Sequence, residues 1–183
     1  MRYFSDMARL LMLDGRVYDE LLARDHSIRY CVFNIVVLGL IYGVSSLYFA
    51  RRVLANSGME NMYFSPVMVL LIGVSTAFLM HGGAALFVWV FCRGIGGCPM
   101  FMPPYLNLGV ASIALWPVAP ALAAFQAGAA GVPLTIYGLV TAAYAAAAGY
   151  VAIHKASGLT QLKMAIAAVA TLVYIACFLY LWM

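Results

Sequence analysis

Sulfur and imidazole are the reactive groups this chain offers, and their densest run is "FCRGIGGCPMFMPP", residues 91–104. Cys92 and Cys98 lie six positions apart, with Met100 and Met102 just behind. Together with His81 or His154 they make a donor set that suits a soft ion such as Cu(I). The spacing argues against it. C-x5-C is not a zinc or cluster spacing, and along a helix His81 stands about 16 Å from Cys92, too far to share one ion. A chain reversal explains more of the residues. Gly94, Gly96 and Gly97 permit left-handed backbone angles, and Pro99, Pro103 and Pro104 delay the next helix. The expectation is a structural turn with positive φ at Gly96 and Gly97, no metal and no cofactor. The four cysteines, Cys31, Cys92, Cys98 and Cys177, lie scattered in apolar sequence and read as small buried hydrophobes.

His81 is the ionisable residue set well inside an apolar run, with Gly82 and Gly83 behind it. An intramembrane histidine is a functional candidate by default; the plainer reading is a neutral imidazole bonded to a neighbouring helix. No Asp or Glu follows Glu60, so no acidic partner lies within the later runs. The second candidate is "LWPVAP", residues 115–120, where Pro117 and Pro120 should kink a helix. Trp116 either fills that bend or, with Pro117, lines a cavity. His81, Trp116 and Pro117 are thus the candidate ligand- or proton-binding residues. The acidic residues Asp6, Asp14, Asp19, Glu20, Asp25 and Glu60 all precede the second apolar run. That is poor material for hydrolysis or group transfer, and no enzymatic activity is expected.

The elements that must position these residues follow from composition. The chain has 183 residues, 66% hydrophobic and 9% charged, whereas a soluble domain is roughly half apolar and a quarter charged. A chain of this size cannot hide that excess, so the fold class expected is all-α, an integral membrane bundle. The first apolar run begins after residue 29, which does not fit a cleaved signal peptide. Five runs reach the roughly 20 residues a bilayer requires: 30–50, 66–91, 106–126, 133–153 and 162–183. Arg2, Arg9, Arg16, Arg24, Arg29, Arg93, Lys155 and Lys163 then fall on one face, against Arg51 and Arg52 on the other. The positive-inside rule puts the N-terminus in the cytoplasm and the C-terminus outside, as in a bacterial inner membrane. The basic residues are scattered, so no nucleic-acid partner is expected.

Small residues mark close helix contacts: Gly39 and Gly43 in the first run, and Gly138, Ala142 and Ala146 in the fourth. They serve packing within the chain or a homo-oligomer. Residues 1–29 form a separate lead. Tyr3, Phe4, Met7, Leu10, Leu11 and Leu13 recur at helical spacing until Gly15 breaks the pattern. Such a segment either lies in the membrane interface or packs under the bundle.

Four stretches carry a resemblance. The lead "LLMLDGRVYDELLARDHSIRYCVFNIVVLGLIYG", the turn "FCRGIGGCPMF", the proline-bearing "ASIALWPVAPAL" and the link "HKASGLTQLKMAIAAV" together resemble the Yip family of Ypt-interacting five-span membrane proteins, in its bacterial form. The acidic motif of eukaryotic members is missing. The resemblance implies a five-helix fold with its N-terminus inside and no defined reaction. The function expected is a scaffold that organises lipids or partner proteins. The alternatives are a small carrier or channel using His81 and the Pro117/Pro120 kink, and an accessory subunit of a larger membrane or redox complex.

Overall fold

The computed structural model describes residues 3–24, 26–56 and 65–182; Arg2, Asp25, Glu60 and Met183 lie outside them. The described chain is helical: α1 Tyr3–Leu11, α2 Arg16–Ala23, α3 Ser27–Asn56, α4 Pro66–Gly94, α5 Met102–Ala111, a 3-10 turn Ser112–Leu115, α6 Val118–Gln126, α7 Val132–Ser157 and α8 Gln161–Trp182. Three helices are long and apolar enough to cross a membrane, Ser27–Ala55, Pro66–Gly94 and Val132–Ser157. Met102–Leu115 and Val118–Gln126 meet the same test only as a pair, bent by 72°. The apolar stretch Gln161–Cys177 of α8 is shorter.

The bend lies at the expected prolines. Pro117 has no N–H to give to the Ile113 carbonyl, and the Trp116 N–H takes that carbonyl instead at 3.2 Å. Ser112 Oγ donates to the Gly109 carbonyl at 2.7 Å and Tyr137 Oη donates to the Pro117 carbonyl at 2.7 Å. The backbone at the break is therefore tied to neighbours. Trp116 packs on the core beside it.

Small residues do serve packing within the chain, though not all those expected. A Cβ on Gly39 would meet Gly73 O at 2.9 Å and overlap the Val74 backbone, and one on Gly43 would meet Leu70 Cα at 3.2 Å. The close α3–α4 contact thus uses a third glycine, Gly73. A Cβ on Gly138 would meet the Phe125 ring of α6 at 2.9 Å. Ala142 and Ala146 are exposed, and the buried row on α7 is Ala148, Ala152 and Ala156. The four-residue period is right, but beyond Gly138 the buried positions are not the two alanines that follow it at that spacing.

The N-terminal segment packs on the bundle. Met7 and Leu10 of α1 and Val17, Tyr18 and Leu21 of α2 are buried with Cys31, Ile35, Leu106 and Val110 in one core cluster. Its opposite side stays apolar and open, with Phe4 73% and Met12 81% exposed. The break after α1 falls at Leu13, not Gly15. Leu13 takes φ 61°, and bonds from Leu13 N to Leu10 O and from Asp14 N to Arg9 O close the helix end. That is the Schellman pattern with leucine where glycine is usual. Gly15 has another use: a Cβ there would meet Lys155 Cε at 2.8 Å.

Arg9 joins the two short helices, with Asp14 Oδ2 at 2.8 Å and Glu20 Oε1 at 2.9 Å, and Arg24 adds a second bond to Glu20 at 3.1 Å. The Arg9 guanidinium holds both the Asp14 and Glu20 carboxyls below their ordinary range. A depressed carboxylate stabilises the folded form above its ordinary pKa, and that contribution disappears as pH falls through the depressed value. The α1–α2 contact should therefore loosen below about pH 4, the ordinary carboxylate range, and hold steady from pH 6 to 8. Amide hydrogen exchange across residues 3–24 reads this, and Arg9→Gln should flatten the profile.

In the turn, Gly96 has φ 94° as expected, whereas Gly97 does not adopt positive φ. Gly96 N bonds to Arg93 O at 3.1 Å and Gly97 N to Cys92 O at 2.8 Å, which makes Gly96 the left-handed residue of a second Schellman end. Gly94 is the last residue of α4, with nothing within 4 Å of a Cβ there. Gly97 is still constrained, because a Cβ would meet Cys92 O at 2.9 Å and Leu159 Cδ2 at 3.3 Å. Gly97→Val should cost about 1–2 kcal/mol through overpacking, and Cys98→Ser, in a half-buried position, much less. Thermal melts of the two variants in detergent rank them; equal melting temperatures would remove the packing argument.

Candidate functional site: a buried polar seam between the helices

The α3–α4 glycine contact fixes what meets further along the two helices. Eight residues before Gly39 is Cys31, and eight after Gly73 is His81. Positions eight apart lie on one helix face, and antiparallel helices run those steps in opposite directions, so the same contact brings Cys31 to His81. Their atoms Sγ and Nε2 lie 3.9 Å apart. The Tyr105 ring meets the imidazole edge-on at a centroid distance of 4.6 Å. Gly109 of α5 closes the pair from the third side. A Cβ there would overlap Cys31 Sγ and come within 3.2 Å of His81 Cε1. Cys31 is 1% exposed and His81 is half-buried.

Asn34, one turn further along α3, is wholly buried. Its Nδ2 donates to the Val110 carbonyl at 2.8 Å and points at Met7 Sδ at 3.5 Å, while Oδ1 accepts from Tyr3 Oη. Its backbone carbonyl accepts the Trp116 indole N–H at 3.1 Å. One amide thus ties together α1, α3, α5 and the bend. On α5, Asn107 donates to the Ala152 carbonyl at 3.4 Å. Every buried side-chain N or O among the described residues has a hydrogen-bond partner. In a low-dielectric interior that matters more than the number of bonds, since one orphaned group costs more than a made bond returns.

The three candidate residues therefore part company. His81 goes to Cys31 and Tyr105, whereas Trp116 and Pro117 are bonded to Asn34 and Tyr137. A groove of about 570 Å³ exists, but Val44, Leu47, Tyr48, Arg51, Arg52 and Pro66 line it, not the bend. Cys92 is buried with Val88, Ile153 and Met164, and Cys98 is held by a bond from its backbone N–H to the Ser157 carbonyl at 2.9 Å. All four cysteines are free thiols. Sequence reasoning missed Cys31, Asn34 and Gly109. The eight-residue steps from Gly39 and Gly73 would have pointed to the first. Asn34 was visible as the one amide within an otherwise apolar run.

The chain matches no family model, no curated protein and no solved structure.

Proposed function

We propose that this chain is a non-enzymatic, Yip-type membrane protein that works by contact, organising lipids or partner proteins. The observation that carries the reading is where polar and apolar atoms go. Among the described residues the buried side-chain N and O atoms each have a partner within the chain, so none of them stands orphaned for a travelling solute. Large apolar side chains instead stand uncovered along the outer helices, such as Leu79 at 77% and Leu162 at 75% exposure. These are surfaces for lipid or for another helix. In this reading α5 and α6 form one broken span and α8 the fifth. The N-terminus is cytoplasmic, the C-terminus lies outside, and the membrane is a bacterial inner membrane. The N-terminal segment then presents Phe4 and Met12, beside the Arg9–Asp14–Glu20 cluster, to the cytoplasmic leaflet or to a partner.

Crosslinking in native membranes with mass spectrometry tests the contact role. Recurrent crosslinks from residues 3–24 or from α4 and α8 to particular proteins or lipids are expected. Saturable solute uptake by purified protein in vesicles, abolished in His81→Ala, would replace this reading with a carrier. Reporter fusions at the two termini test the topology, and an external N-terminus would end the five-span arrangement.

A further inference from the structure

The Cys31–His81 pair joins α3 to α4 as a thiol–imidazole contact, and the same two donor atoms suit a further role. A thiolate bond of about 2.3 Å and an imidazole bond of about 2.0–2.1 Å, as at zinc, put the two donors about 4.3–4.4 Å apart around an ion on the line between them. At the observed separation of 3.9 Å those bond lengths would bend the ion off that line to about 127°, so linear binding needs the two donors to part by about 0.4–0.5 Å. Among the described residues, no three His, Cys, Asp or Glu side chains come together to hold a metal. Two protein donors leave a four-coordinate ion such as Zn(II) half-liganded. They complete the shell of a d10 monovalent ion, for which sulfur and imidazole are favoured donors. Charge leads the same way. One thiolate and one monovalent cation, with a neutral imidazole, sum to zero, whereas a divalent ion would leave net charge in a low-dielectric interior at high cost.

We propose that Cys31 Sγ and His81 Nε2 form a two-coordinate site for a soft monovalent cation, Cu(I) or Ag(I), between α3 and α4. Binding replaces the Cys31 thiol proton, which leaves to solvent. The absence of a side chain at Gly109 makes room for the sulfur, and the Tyr105 ring covers the imidazole. The site escapes a motif search because its ligands are fifty positions apart.

The full chain in detergent, kept reduced and anaerobic, should take one equivalent of Cu(I) from a chromogenic Cu(I) chelator, with Zn(II) failing to compete at the same concentration. Cys31→Ser and His81→Gln should each weaken uptake tenfold or more. A Cys92→Ser, Cys98→Ser, Cys177→Ser triple variant should match the native chain. Copper-edge X-ray absorption of the unmodified protein gives a reading that no folding defect can imitate, with one sulfur and one nitrogen neighbour expected. A sulfur-only shell, unchanged uptake in Cys31→Ser, or equally tight Zn(II) binding would each overturn the proposal.

Discussion

Gly39→Leu should be among the most damaging single substitutions in the bundle, costing about 3 kcal/mol or more by overpacking. The reason is what the new atoms would meet. A Cβ on Gly39 runs into the backbone of Gly73 and Val74, and backbone within a packed helix cannot turn aside as a side chain can. The helices have to separate, and with them goes the register that pairs Cys31 with His81. Gly43→Leu should be milder, because the nearest atoms there include the movable Leu70 side chain at 3.2 Å. Ala142→Leu, on an exposed stretch of α7, should be near neutral. Detergent melts of the three variants should fall in that order. A Gly39→Leu protein that melts with Ala142→Leu would mean that α3 and α4 do not pack as closely as described.

The same glycines show how far sequence reading reaches. Period and composition were enough to find the long helices of the first, second and fourth apolar runs and the proline bend, because each depends on local chemistry. The third run became two helices at 72° because two prolines within four residues deny the chain a second hydrogen bond before it recovers from the first. Gly97 was misjudged for a related reason. Adjacent glycines look equivalent in sequence, yet a Schellman end assigns positive φ to one and a close carbonyl to the next, and the assignment depends on where α4 stops. Leu13 hid a helix end because leucine rarely accepts positive φ. The candidate site was least legible. His81 stood out by its charge chemistry, but its neighbours come from α3 and α5, and only the glycine register of two helices says which residues those are. Trp116 and Pro117 drew notice as unusual residues, and their peculiarity is used up in satisfying a broken backbone.

That register gives Gly109 its importance, and Gly109→Ala should destabilise the protein even though alanine is the better helix former by about 1 kcal/mol. The methyl carbon would occupy the space of Cys31 Sγ and come to 3.0 Å from Cys31 Cβ and 3.2 Å from His81 Cε1. Overpacking of this kind costs about 1–3 kcal/mol, which outweighs the gain in propensity. The sulfur is the main obstacle, so removing it should restore much of the loss. Cys31→Ala alone leaves a small void and a modest penalty. Combined with Gly109→Ala, the new methyl takes up that void, and a slight helix shift widens the residual 3.0 Å approach to Cβ of residue 31. The double variant should then be more stable than the two single effects predict, with a coupling of about 1–2 kcal/mol, within the range for residues in direct contact. Chemical denaturation of all four proteins in one detergent measures that coupling. Strict additivity would show that Gly109 and Cys31 do not touch, and the three-helix arrangement around His81 would fall with that contact.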